Sequence, residues 1–141
     1  MSIWKRNVSL ADLNALSENT LIAHLGIKYT EVGDDFIKAV MPVDHRTQQP
    51  FGVLHGGASA VLSETIGSLA GYLSVDEDKI CVGVELNASH LRSVAEGMVT
   101  GIAKVVRIGR SLQVWQIDIT DQADRLICSS RLTVSVIDKT I

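Results

Sequence analysis

Cysteine is scarce: only Cys81 and Cys128 occur in 141 residues, far apart and without CxxC spacing. That excludes a disulfide-framed secreted scaffold and leaves two reduced thiols in strand-like segments as the expectation. Basic charge is not in excess, since thirteen Lys and Arg against sixteen Asp and Glu give a formal net charge of -3. No net field favours a polyphosphate backbone, so nucleic acid is not expected as a partner. Long hydrophobic runs are missing as well. The most apolar stretch, 58–73, is broken by Ser59, Ser63, Glu64, Thr65 and Ser68 and falls short of the roughly 20 residues a membrane span needs. Lys5 and Arg6 are not followed by the apolar region and cleavage site of a secretory signal, which makes the cytoplasm the expected location. The four histidines show no HxH or HExxH spacing, and GxSxG, Walker and GxGxxG patterns are absent. Neither a metal nor a cofactor is therefore expected.

What is present is a globular composition, 46% hydrophobic and 21% charged, of a length that fits one domain over 1–141. Ser9 followed by Asp12, with Leu10, Leu13 and Leu16 at near-helical spacing, predicts a short amphipathic helix. A second helical piece is expected over 20–25, ended by Gly26. Strands over 27–32 and 36–43 flank the Gly33-Asp34-Asp35 turn and form a hairpin. Residues 44–57 read as a polar loop. Residues 58–73 have helical length and are apolar nearly all round, so a curved sheet is expected to enclose them. Gly67 and Gly71 cost helix stability and point to a close backbone approach. Four alternating runs follow, 80–89, 97–107, 112–120 and 126–137, with short turns that suggest an antiparallel meander. In the first, Val82, Val84, Leu86 and Ala88 share one face, and Cys81, Gly83, Glu85 and Asn87 the other. The order is an α+β pattern of one sheet wrapped on one helix. Its unprotected edges make a homodimer the minimum assembly expected.

Three groups of residues are candidates for chemistry. Glu64 lies about two turns into the apolar helix among Val61, Leu62, Ile66 and Leu69, where desolvation would make its carboxylate a better base or nucleophile. The alternative is a solvated Glu on a wet stripe with Ser63 and Thr65. His55-Gly56-Gly57 stands at the helix start, where free N–H groups and the dipole favour negative charge, so Gly56 is placed to donate to an oxyanion. An ordinary glycine-rich turn is the other reading. Gln49, in the same loop, is suited to orienting a water or a carbonyl. Basic residues collect at two further turns, His90 with Arg92, and Arg107 with Arg110 and Ser111 around Gly109. They suit phosphates such as those of coenzyme A, or are simply exposed turn charges.

The run Gln48-Gln49-Pro50-Phe51-Gly52-Val53-Leu54-His55-Gly56-Gly57-Ala58-Ser59, continuing through Glu64-Thr65-Ile66-Gly67-Ser68, resembles the PaaI-like hotdog-fold thioesterases. The likeness extends to Ile3-Trp4-Lys5-Arg6, Met41-Pro42-Val43-Asp44, Leu86-Asn87-Ala88 with His90, and Arg131-Leu132-Thr133. The resemblance implies a hotdog fold and hydrolysis of aryl-acyl-CoA thioesters. It puts the catalytic carboxylate on Glu64, the carbonyl-polarising amide on Gly56, supporting residues on Gln49 and His55, and a side chain near the water or acyl group on Ser68. Coenzyme A contacts fall on His90, Leu91, Arg92 and Ser93, and on Arg107, Ile108, Gly109, Arg110, Ser111 and Leu112. Residues 90–93 and Gln113-Val114-Trp115-Gln116 look more like hydrolases of 1,4-dihydroxy-2-naphthoyl-CoA in menaquinone biosynthesis. The alternative within the family is a proofreading enzyme that clears mischarged acyl groups from an aryl carrier protein. A non-catalytic acyl-CoA binding module is the alternative of another class. A tetramer is expected from the family alone.

Overall fold

The computed structural model of the chain describes residues 1–140. Helices α1 (Leu10–Leu16) and α2 (Leu21–His24) precede strands β1 (Lys28–Val32) and β2 (Phe36–Pro42). The long helix α3 (Gly56–Leu73) follows, then β3 (Lys79–His90), β4 (Met98–Ile108), β5 (Leu112–Thr120) and β6 (Leu126–Asp138). Ser9 caps α1 by accepting from Asp12 N–H, as its position predicts. The six strands form one sheet in the order β1-β2-β4-β5-β6-β3, with every neighbouring pair antiparallel. This is the α+β hotdog arrangement, with α3 packed on the sheet.

The meander expectation holds for β4, β5 and β6 and fails for β3. Instead of pairing with β4, β3 crosses to the far edge and pairs with β6, from Lys79 opposite Asp138 to His90 opposite Cys128. A second correction lies inside β3. Gly83 faces Val134 but Glu85 faces Thr133, so Val84 is an extra residue and the pair carries a β-bulge. Cys81 and Gly83 face α3. Beyond the bulge it is Leu86 and Ala88 that pack toward the core, while Glu85 and Asn87 turn outward and hydrogen-bond to each other. Strict alternation in the sequence puts Glu85 on the same face as Gly83, and the bulge removes it.

The core lies between α3 and the sheet. Leu62, Ile66 and Ala70 of the helix meet Ile37, Ala39, Met41, Val99, Ala103, Ile117, Ile119, Leu132 and Val134. Each of the larger aliphatic side chains contributes about 1.5–3 kcal/mol by leaving water. Small residues let the helix come close. A Cβ on Gly67 would sit 2.7 Å from Leu132 Cδ2, and one on Gly101 of β4 would sit 2.9 Å from Ile66 Cδ1. The opposite side of α3 is not enclosed by this chain: Glu64 and Tyr72 are exposed, and Val61 and Leu69 only half-buried.

The N-terminal segment closes the other end of the helix. Trp4 stacks on buried Trp115 at 6.0 Å, and its indole N–H donates to Gly33 O. Arg6 lies 3.8 Å over the Tyr72 ring and donates to the carbonyls of Tyr72, Asp76 and Lys79, which places a cation at the C-terminal end of α3. Cys81 and Cys128 are free thiols, and burial pushes Cys81 up to about 11 and Cys128 upward. No helix among the described residues is long and apolar enough to cross a membrane.

Candidate active site

The loop before α3 is tied down at both ends. Asp44 accepts from Arg46 through its backbone N–H (2.9 Å), Nε (3.1 Å) and Nη2 (2.7 Å), and these bonds hold its carboxyl down at about 2. Buried Thr47 donates through Oγ1 to Pro42 O, and Gln48 Nε2 donates to Ala95 O. Next comes a tight turn in which Gly52 N–H donates to Gln49 O, with Pro50 pre-setting the bend and Gly52 at φ +82. Gln49 Oε1 accepts from Phe51 N–H, which leaves the carboxamide N–H2 for the cleft that Gln49 lines.

At the start of α3 the helix begins two residues earlier than its apolar pattern suggests, because His55 is the N-cap. His55 Nδ1 accepts from Gly57 N–H at 2.7 Å, and His55 O accepts from the N–H groups of Ala58 and Ser59. Gly56 N–H is left without an acceptor among the described residues. It is a free donor at the positive end of a five-turn helix, the arrangement that stabilises developing negative charge. His55 thus acts as a cap, and its side chain does not line the cleft. The cleft has a volume of about 320 Å³ and is bounded by Gln49, Val53, Leu54, Gly56, Ser59, His90 to Ser93 and Ile127. The His90 ring rests on Gly56, so that a Cβ there would lie 2.8 Å from Nε2. Only glycine admits the imidazole at that distance.

Glu64 does not reach this cleft. Eight residues of helix separate it from Gly56, roughly 12 Å of rise. Its carboxylate opens instead onto a second groove of about 350 Å³ with Leu21, Ala60, Val61, Thr65 and Leu86. The desolvation expected from its apolar neighbours is not met within one chain, because Glu64 is exposed. Below it lies Gly83 of the edge strand, whose absent Cβ would come within 2.7 Å of Glu64 Oε2. Ser68, one turn further on, is half-buried and lines neither hollow.

The two basic turns are also apart. Leu91 N–H donates to Ile127 O, so 90–93 sit beside the start of α3. Ser111 O accepts from Val136 N–H, so the β4–β5 hairpin with Arg107 to Leu112 sits at the opposite end of β6. Eight strand residues from Cys128 to Val136 correspond to roughly 26 Å. The site residues named from sequence therefore fall into three groups within one chain: Gln49, Gly56 and His90 to Ser93 together; Glu64 in its own groove; and the 107–112 hairpin far from both. Sequence reasoning missed Ile127, Leu21 and Gly83 as neighbours of these groups. The last carries a signal in retrospect, as a glycine inside a strand marks a bulge or a close approach. Among the described residues no group of three His, Cys, Asp or Glu is placed to hold a metal ion.

One antiparallel sheet packed on a single long helix defines the hotdog fold. The chain belongs to the thioesterase superfamily, whose family model matches residues 51–128, and it is a thioester hydrolase. It is 52% identical to the 1,4-dihydroxy-2-naphthoyl-CoA hydrolase of Escherichia coli over 135 residues, 96% of this chain and 99% of that protein. It is 53% identical to the proofreading thioesterase EntH of Cronobacter turicensis over 134 residues, 95% and 98% of the two. The crystal structure of thioesterase HI1161 from Haemophilus influenzae superposes with a TM-score of 0.95 at 54% identity, covering 96% of this chain and 95% of that one.

Proposed function

We propose that the protein hydrolyses aryl-acyl-CoA thioesters, 1,4-dihydroxy-2-naphthoyl-CoA foremost, at a site completed by two copies of the chain. The observation that carries this reading is the free Gly56 N–H, set in a cleft with Gln49 and the 90–93 turn but separated from Glu64 on its own helix. β3 is an edge strand with Val82 and Val84 exposed on it, and pairing it with β3 of a second copy protects the edge. A two-fold axis there reverses the neighbouring α3. Glu64 of the second copy then moves toward Gly56 of the first, and the Arg107 to Leu112 hairpin of the second moves toward His90 to Ser93. One symmetry operation supports all three separations at once.

In this scheme the thioester carbonyl accepts from Gly56 N–H, with the Gln49 carboxamide beside it, and 90–93 with Arg107 and Arg110 meet the phosphates of coenzyme A. Glu64 takes a proton from water as the water oxygen bonds to the carbonyl carbon. The tetrahedral intermediate then expels the thiolate, which takes up a proton, and the acid is released. The second route has the Glu64 carboxylate attack the carbonyl to give a mixed anhydride that water opens. A single turnover in heavy-oxygen water separates them, since label in Glu64 marks the anhydride. Glu64→Ala should lower kcat roughly a hundred- to ten-thousandfold with normal folding, and full activity in a folded variant rules the scheme out. Mixing Glu64→Ala subunits with inactive Gly56→Val subunits should restore about a quarter of wild-type turnover, because one of the two shared sites in each hybrid dimer is intact. The carrier-protein reading predicts faster release of aryl groups from an acylated carrier than from coenzyme A.

A further inference from the structure

When the carbon–sulfur bond breaks, by either route, the negative charge passes from the oxyanion to sulfur. Gly56 N–H meets the oxyanion and Glu64 the water or the carbonyl carbon, but neither meets the departing thiolate. A group that does so has to stand beside the carbonyl, on the coenzyme A side, with a donor not already committed. His90 fits each condition. A Cβ on Gly56 would lie 2.8 Å from His90 Nε2, and the three atoms nearest that point all belong to the His90 ring. One more bond length puts Nε2 within about 4.3 Å of Gly56 Cα. The ring lines the same cleft as Gly56 and the 91–93 turn, so it borders the thiol half of the substrate. Its backbone is held on both sides, because His90 ends β3 opposite Cys128 and Leu91 N–H donates to Ile127 O at 2.8 Å. Its side chain is uncommitted. His55 Nδ1 is taken by Gly57 N–H and His45 stands beside Asp44, whereas the His90 ring has no hydrogen-bond or ion-pair partner among the described residues.

We infer that His90 is a further catalytic residue, whose Nε2–H donates a hydrogen bond to the substrate sulfur as the carbon–sulfur bond breaks. The inference rests on the thioester carbonyl accepting from Gly56 N–H. The bonding pair of the carbon–sulfur bond passes to sulfur, and the neutral imidazole keeps its proton throughout. The thiolate then takes a proton from solvent, and in the general-base route Glu64 gives up to solvent the proton it drew from water. A hydrogen bond to a charged atom is worth roughly ten- to a hundredfold. Its worth grows with the charge on sulfur in the transition state. A basic alkyl thiolate carries that charge on one atom, whereas a thiophenolate spreads it over a ring and leaves unaided.

The test compares the benzoyl thioesters of N-acetylcysteamine and of thiophenol. The two share an acyl group and lack the nucleotide, so neither acyl fit nor phosphate contacts enter the ratio of their kcat values. Wild type, His90→Ala, His90→Leu and His90→Gln are measured, with thermal melting to report folding. His90→Ala and His90→Leu should lower kcat roughly ten- to a hundredfold on the N-acetylcysteamine ester and less than about threefold on the thiophenyl ester. His90→Gln keeps an N–H donor and should recover most of the loss. An equal loss on both esters, or no loss on the N-acetylcysteamine ester, in either folded variant without the donor overturns the inference. The scheme it rests on is decided separately by Glu64→Ala. Absence of hydrolysis of both esters and of benzoyl-CoA by the wild type overturns the two together.

Discussion

Replacing Gly83 by alanine tests whether the resting position of Glu64 is its working position. Gly83 has no positive φ, so alanine adopts the same backbone without strain. The added methyl lies 2.7 Å from Glu64 Oε2, whereas ordinary contact begins at 3.4 Å, so the carboxylate must withdraw by about 0.7 Å. The fold has little to lose, since Glu64 is an exposed, flexible side chain. Reduced freedom of the unfolded chain adds about 0.4–1 kcal/mol of stability. Catalysis is far less tolerant. A misplacement near 1 Å costs about a hundredfold, so kcat should fall roughly ten- to a hundredfold. Thermal melting and steady-state kinetics on an aryl-CoA thioester measure the two effects separately. Melting at or above the wild-type temperature with kcat within twofold of wild type would refute the reasoning, because the carboxylate would then act from elsewhere.

Three further outcomes follow from other parts of the molecule. Fully buried Gln113 donates through Nε2 to Ser74 Oγ and accepts at Oε1 from Trp115 Nε1. Gln113→Ala should therefore cost about 2–5 kcal/mol by urea denaturation, from an unpaired indole N–H plus a cavity. A shift below about 1 kcal/mol would contradict the network's weight. Burial holds the Cys81 thiol protonated up to about 11. Its alkylation by iodoacetamide at pH 8, followed by mass spectrometry, should run about a hundredfold slower than that of free cysteine and rise with pH to at least 10. The Asp44 carboxyl, depressed to about 2 by Arg46, contributes its loop contacts in full above the ordinary carboxylate range, and they are lost as pH falls toward 2. Carboxyl NMR should find its midpoint near 2, and a midpoint near 4 would remove Arg46 as its partner.

How much of this could be read from the chain depends on the range of the interaction. The 58–73 helix, the 28–42 hairpin and strands β4 to β6 follow from local periodicity, as in the buried sequence Val99, Gly101, Ala103. Periodicity alone starts the helix two residues late because Gly56 and Gly57 are poor helix formers, and the His55 cap that holds them is a geometric fact. The crossing of β3 to the far edge was invisible for a different reason. Residues 91–97 are as short as a hairpin loop, yet three interstrand steps amount to only about 15 Å, well within their reach. The bulge was hidden because Val82, Gly83, Val84 and Glu85 alternate perfectly as a string. Gly56 and Glu64 stand out in the sequence as candidates, but their separation into two hollows of one chain does not, since a motif carries no distance between its side chains.

The interruption at Val84 also bears on what β3 rejects. A flat foreign strand laid along this edge keeps step with it on one side of the extra residue and falls out of step on the other, so only a few hydrogen bonds form before the ladder fails. A strand with the same irregularity, related by a two-fold axis through the bulge, would meet it in register on both sides. One supernumerary residue thereby makes an exposed edge a poor template for aggregation while leaving it open to its own copy.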